Sequence, residues 1–367
     1  MILMALDHTR DFFGMPGVNP TDPATASPAL FFTRWITHIC APAFFLLTGT
    51  GASLSRARSS AAALSWFLFT RGAWLILLEL TLVRGVAYQF NFDYRVTMLL
   101  VLWALGWAMF FLAGLVFLPA PVIAGTGAVM IAGHNLLDPI PPTNPIWAIL
   151  HGPGFVLQGE HTVFAAYPLV PWIGVTALGY GLGALYRWEP GRRRRLLLFA
   201  GVGCVAGFAA LRALNVYGDP VPWQPQSTSI RTLMSFLNAN KYPPSLLFLL
   251  MTLGPAFLVL RWGDGITPRV LCPALEYGRA PLFYFVAHFT VIHGLAAIVC
   301  LVRYGTAQWM FESPTLGQYP FTPPPGWGYP LPVVYLVWML VVVSLYPACR
   351  AVARAKARRS HSWLSYV

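Results

Sequence analysis

LPVVYLVWMLVVVSLYPACR, residues 331–350, runs from Leu331 to Cys349 without a charged side chain and stops on Arg350. A hydrocarbon core about 30 Å thick needs about 20 apolar residues of helix, and this stretch supplies them. The basic residues that follow, Arg354, Lys356, Arg358 and Arg359, mark the end that stays on the cytoplasmic face. Working back from it, ten apolar segments bounded by charge, Gly or Pro are predicted: 1–14, 28–54, 62–88, 95–118, 119–137, 163–186, 194–214, 243–261, 273–303 and 328–350. Composition agrees, with 57% hydrophobic and 10% charged residues and a mean hydropathy of +0.62, whereas soluble domains carry about 25% charged residues. An all-α polytopic bundle of about ten transmembrane helices is expected, as a single domain over residues 1–367.

The joints between segments indicate orientation. Arg56 with Arg58, Arg187 with Arg192 to Arg195, Arg261 with Arg269, and the C-terminal cluster from Arg350 occupy alternate connections. The positive-inside rule places all four on the cytoplasmic side, so both termini are expected there. The joints 15–27, 138–162, 215–242 and 304–327 are long, aromatic and Pro-rich, and basic residues there are confined to Arg231, Lys241 and the adjoining Arg303. A net charge of +12 is thereby explained by orientation, with no basic stripe of the kind that binds nucleic acid. The first segment is too short to cross unaided, which leads to the expectation that part of this helix lies upstream of Met1. Met1 to Leu6 has no basic region before it and no A-x-A site after it, so the first crossing is expected to act as its own insertion signal. Five scattered cysteines, none in a C-x-x-C pair or near a His at zinc spacing, read as core thiols, and no metal site is expected.

Ionisable groups at membrane depth are costly and therefore mark sites. The first segment carries Asp7, His8, Arg10 and Asp11 at helical spacings that let an Asp–Arg network orient the imidazole. Arg34 and His38 share one face of the second segment, ahead of a small-residue run, Thr48 to Gly51, whose glycines read as a close helix contact. Outer segment ends repeat the pattern with His134, Asn135 and Asp138, and with Arg212, Asn215 and Asp219; His288 and His293 lie on the ninth segment. Glu79 is expected to pair with an Arg, and Lys241 to sit at a rigid Tyr-Pro-Pro turn on the outer surface. Walker, G-x-S-x-G and H-E-x-x-H motifs are all missing, so nucleotide hydrolysis and metalloprotease chemistry have no support.

Seven blocks carry a family resemblance: MALDHTRDFF (4–13), FFTRWITHICAPAFFLLTGT (31–50), IAGHNLLD (131–138), YPLVPWIG (167–174), NVYGDP (215–220), FLNANKYPPSL (236–246) and the stretch Tyr284 to His293. Through them the chain resembles the bacterial DUF1624 family, membrane-domain relatives of heparan-alpha-glucosaminide N-acetyltransferase, over nearly its whole length. The resemblance implies a plasma-membrane acyltransferase that passes an acetyl group from cytosolic acetyl-CoA to a sugar or glycan beyond the bilayer. In that group a His on the first helix is the catalytic base, with an Arg about three turns earlier; His8 matches the His, and the Arg would precede Met1. In the lysosomal relative the catalytic His lies in the following loop, which here holds none. On this reading His8, Asp7, Asp11 and His38 are catalytic. Arg10, Arg34, His134, Asn135, Asp138, Arg212, Asn215, Lys241, His288 and His293 face the acceptor, and Arg56 and Arg58 hold the donor's phosphates. A solute or ion transporter and a catalytically silent scaffold are the two other readings these residues permit.

Overall fold

A computed structural model describes residues 1–141, 144–265 and 271–358; Arg269 and Arg359 of the predicted basic joints lie outside the described residues. The chain is all-α and polytopic, with little sheet. Its helices are α1 (Ile2–Phe13), α2 (Pro28–Thr37), α3 (Cys40–Arg56), α4 (Ala61–Leu78), α5 (Val101–Leu115), α6 (Ala120–Gly133), α7 (Pro145–Leu150), α8 (Leu169–Leu185), α9 (Pro190–Leu214), α10 (Ser229–Leu237), α11 (Leu246–Gly263), α12 (Cys272–Arg279), α13 (Pro281–Tyr304) and α14 (Leu331–Ala357). Among the described residues seven helices are long and apolar enough to cross a bilayer, with α2 and α3 counted as one; α5 and α8 are apolar but shorter. Their outer faces are greasy: Val302, Val129, Phe199 and Leu336 are each about 70% exposed or more, as a lipid-facing surface requires.

Several predicted segments are interrupted where the backbone cannot continue. The segment 28–54 breaks at His38 because Pro42 has no N–H to bond the His38 carbonyl. Pro281 separates α12 from α13 in the same way. The segment 95–118 opens with a strand, β1 (Val96–Leu99), and 163–186 opens with another, β3 (Thr162–Ala165), which also pairs with β2 (Gly154–Leu157). The order is β1-β3-β2, with β1 and β3 parallel and β2 and β3 antiparallel. Their β-branched and aromatic residues suit strands. The α4 crossing continues as a π-helical stretch, Glu79–Tyr88.

Close packing is densest around α8. A Cβ on Gly49 of α3 would sit 1.9 Å from the Thr176 carbonyl oxygen, and one on Gly179 would sit 2.1 Å from that of Leu46. Only glycine lets these two backbones touch, and the Thr50 hydroxyl then donates to the Gly179 carbonyl at 3.1 Å. Helices α1 and α14 run antiparallel: the Tyr329 N–H donates to the Phe13 carbonyl (2.8 Å) and the Trp338 indole to that of Ile2 (2.9 Å).

Among the described residues Glu79 pairs with no Arg. Its carboxylate accepts the Leu102 N–H at 2.8 Å, serving as a remote cap for the orphan amides at the start of α5. Of the cysteines, Cys300 and Cys349 are buried as expected, whereas Cys272 is exposed.

Candidate functional site

Helix α1 is apolar except for Asp7, His8, Thr9, Arg10 and Asp11, which fall within little more than one turn. The Asp7 carboxylate accepts from Arg10 (3.1 Å) and from Arg34 of α2. Asp11 accepts from Arg10 at 2.6 Å and lies 3.3 Å from His8 Nδ1. Two cations therefore balance two carboxylates in a largely buried cluster, which is what allows the charges to persist there. The His8 ring packs at 4.0 Å against Phe289 and 5.3 Å from His288, both of α13.

These residues open onto a chain of three cavities. The central one, about 510 Å³, is lined by Asp7, His8, Asp11, Arg34, Lys241 and Phe289, with four tyrosines, Tyr88, Tyr167, Tyr242 and Tyr319. The small sheet supplies part of its wall through Met98 and Phe164. Toward the predicted cytoplasmic end lies a cavity of about 660 Å³ bounded by Met1 to Leu3, Arg71, Leu260 and Gly278; it shares Cys40 and Phe44 with the central cavity. Toward the long joints lies a third, about 430 Å³, formed by Asn19 to Thr21, His38 and Asn238 to Tyr242; it shares Asp11, Arg34, Lys241 and Tyr242 with the central one. His8 thus stands in the middle of a series that runs from one set of joints to the other.

The predicted residues sort accordingly. Asp7, His8, Asp11, Arg34 and Lys241 converge on the central cavity, and Arg10 and His38 line the outer one. His38 keeps Nδ1 buried and, among the described residues, without a hydrogen-bond partner. His288 lies behind His8, with Nδ1 2.7 Å from the Tyr284 carbonyl and Nε2 unpartnered among the described residues.

Others are engaged in holding the fold. The Arg212 guanidinium donates to the carbonyls of Val221, Ser235, Phe236 and Asn238 and meets Asp219 at 3.5 Å, so its donors are spent on the 215–242 joint and do not face a substrate. Asn215 caps α9 in the left-handed conformation and bonds Trp223 through both side-chain atoms. His293 is clamped by the carbonyls of Met310 (2.8 Å) and Ala87 (3.3 Å) and stacked on Phe90. Asn135 accepts the Leu246 N–H at 2.8 Å, capping α11, while His134 and Asp138 sit in a separate cluster. Arg56 donates to the Ser59 carbonyl and Arg58 is exposed; neither lines the inner cavity, whose described lining includes the Arg71 guanidinium.

None of the tyrosines was read as a site residue, Tyr242 entering only through its rigid turn, although three of the four, Tyr167, Tyr242 and Tyr319, are each followed by Pro, a repeated dipeptide that could have drawn attention. Burial holds the Tyr319 hydroxyl, in the joint between α13 and α14, well above the usual phenol range. It stays a neutral donor in that wall.

The catalytic-domain model of the heparan-alpha-glucosaminide N-acetyltransferase family matches residues 1–217, more than half of the 367-residue chain. The chain belongs to this family. Its match takes in the α1 cluster, Arg34, His38 and Tyr167, while Lys241, Tyr242, Phe289 and Tyr319 complete the same cavities from beyond it. A membrane acetyltransferase family accounts together for the apolar bundle and for the titratable cluster inside it. Neither curated proteins nor solved structures gave a match.

Proposed function

We propose that this chain is an acetyl-CoA-dependent acyltransferase of the bacterial plasma membrane, acting on a hydroxyl or amine of a glycan presented at the outer face. The observation that carries the reading is the shared lining of the three cavities, with His8 between the two outer members of the series. The donor enters from the end that holds the basic helix termini, its acyl arm lying in the apolar inner cavity past Arg71 and reaching Cys40 and Phe44. The acceptor enters through the polar outer cavity, beside Asn238, Asn240 and Lys241.

The two meet at His8. Asp11 holds Nδ1, leaving Nε2 to take the proton of the acceptor as its oxygen or nitrogen attacks the thioester carbonyl. The carbonyl π electrons move onto oxygen, and Arg34 or Lys241 neutralises the resulting oxyanion. Collapse breaks the carbon–sulfur bond; the CoA thiolate leaves and recovers the proton from His8. Asp7, shared between Arg10 and Arg34, keeps both guanidiniums aimed at the site.

The test uses purified protein in detergent with labelled acetyl-CoA and a panel of amino sugars and oligosaccharides. Transfer of label to at least one acceptor, lost in His8→Ala while that variant still elutes as a folded monomodal peak, is the expected result. A donor also raises the melting temperature by mass action, by an amount that grows with its concentration. A protein that neither responds to acetyl-CoA in melting nor transfers label, yet moves a solute across vesicles, would be a transporter instead.

A further inference from the structure

At the outer end of α6 the helix tightens into one 3-10 turn, His134–Leu137, and its residues meet the end of α7. Three ligand-type side chains, His134, Asp138 and His151, come together there with donor atoms all within 4.8 Å of one another. Both histidines are about 97–98% buried, and their rings lie 5.6 Å apart. His151 Nε2 is 3.0 Å from Asp138 Oδ1, and the Asn135 amide donates to Asp138 Oδ2 at 2.8 Å.

What the cluster lacks is a set of partners for its remaining polar atoms. Among the described residues neither nitrogen of His134 makes a hydrogen bond of normal geometry, though the Pro244 carbonyl lies beside the ring, and His151 Nδ1 is likewise unpartnered. A buried polar atom without a protein partner is costly and is ordinarily satisfied by a bound water or ion. The Asp7–His8–Asp11 group differs, because Arg10 and Arg34 already neutralise it. Among the described residues no Arg or Lys bonds Asp138; its partners are the Asn135 amide and His151.

We infer that His134, Asp138 and His151 bind one divalent transition-metal ion of the zinc type. Two imidazoles and one carboxylate with an open fourth position are an ordinary donor set for that ion. Ligand atoms about 2.0–2.1 Å from a tetrahedral centre stand about 3.4 Å apart, so the 3.0 Å His151–Asp138 edge is nearly in place and the His134 ring has to swing inward. Asn135 is the outer-shell partner that fixes the carboxylate. The ion would staple the end of α6 to the α7 segment, and Pro153, two residues past His151, lines the central cavity. The site therefore sets one wall of that cavity without being part of the acyl-transfer residues. Spacing within the sequence hid it, because the third ligand arrives from a joint and not from the same helix.

The experiment uses full-length protein free of any polyhistidine tag, stripped with EDTA, loaded with zinc chloride alone and desalted before elemental analysis. About one zinc per chain is expected, together with the visible absorption of a tetrahedral site when Co²⁺ replaces zinc. His134→Ala and His151→Ala should each weaken zinc binding by about 10–100-fold or more, and Asn135→Ala by about tenfold. His161→Ala, which alters an exposed histidine bonded to the Tyr94 carbonyl, should leave binding unchanged. If an alanine variant aggregates, His151→Gln and Asp138→Asn replace it with the same expectation. Less than about a tenth of an equivalent in the wild type, or equal loading in the ligand variants, overturns the inference. This readout is independent of whether the protein transfers acyl groups.

Discussion

Replacing Asp11 by Asn keeps the side chain's shape and removes the charge that faces both His8 and Arg10; pairing it with His8→Ala separates its action on the imidazole from the rest. The His8 Nδ1 to Asp11 distance of 3.3 Å is long for a hydrogen bond, the same carboxylate takes a 2.6 Å bond from Arg10, and its side chain is 33% exposed. Hydrogen bonds to charged groups contribute about 1.5–3 kcal/mol; length and solvent put this one near the lower end. About 1.5 kcal/mol corresponds to roughly a tenfold fall in kcat/KM. His8→Ala removes the base itself and should cost about 10²–10⁴-fold. Because Asp11 acts through the imidazole, the double variant should be no slower than His8→Ala alone. Initial rates of label transfer from acetyl-CoA, measured on protein of verified gel-filtration profile, give all four corners of the cycle. An unchanged rate in Asp11→Asn, or a double variant about tenfold slower than His8→Ala, would refute the coupling.

Gly179→Ala should lower the melting temperature, because its Cβ would lie 2.1 Å from the Leu46 carbonyl and overpacking of this kind costs about 1–3 kcal/mol. Gly51→Ala, where nothing lies within 4 Å, should be neutral or raise it, since alanine is the better helix former; thermal unfolding followed by fluorescence compares the two, and equal effects would deny the α3–α8 contact. Asp264, just past α11, is held below the usual carboxylate range by hydrogen bonds from Arg193, helped by Arg194. Its contribution is present above the unfolded pKa of about 3.9 and is lost as pH falls through the lower folded value. Melting temperatures from pH 7 to pH 3 should therefore drop less below about pH 4 in Asp264→Asn than in the wild type, and parallel curves would speak against that ion pair.

The bundle was legible because uninterrupted apolar runs such as 331–350 have one physical use. The His8 cluster was legible for a different reason: spacings of three and four on one short helix force its groups together. Length alone misled at 95–118 and 163–186, since a four-residue apolar strand such as Val96–Leu99 cannot be told from helix by periodicity when its neighbours are equally apolar. Pro42 and Pro281 did carry the signal for the breaks before them. Glu79 was assigned an Arg because a sequence displays side chains and conceals free backbone amides, which were its actual partners. Arg212 failed similarly: a guanidinium turned to four carbonyls and one turned to a substrate have the same surroundings in sequence. The cavity tyrosines were not legible as site residues, because three of them sit in or beside joints whose path over the centre a sequence does not display.

Everything proposed about chemistry depends on the route from Arg71 through His8 to Asn240 being continuous across the bilayer. Oriented proteoliposomes with labelled acetyl-CoA confined to the side of the C-terminal basic residues, and a membrane-impermeant acceptor confined to the other, test it directly. The account predicts labelled acceptor on the far side, abolished by His8→Ala. Product formed only when donor and acceptor share one side would contradict it.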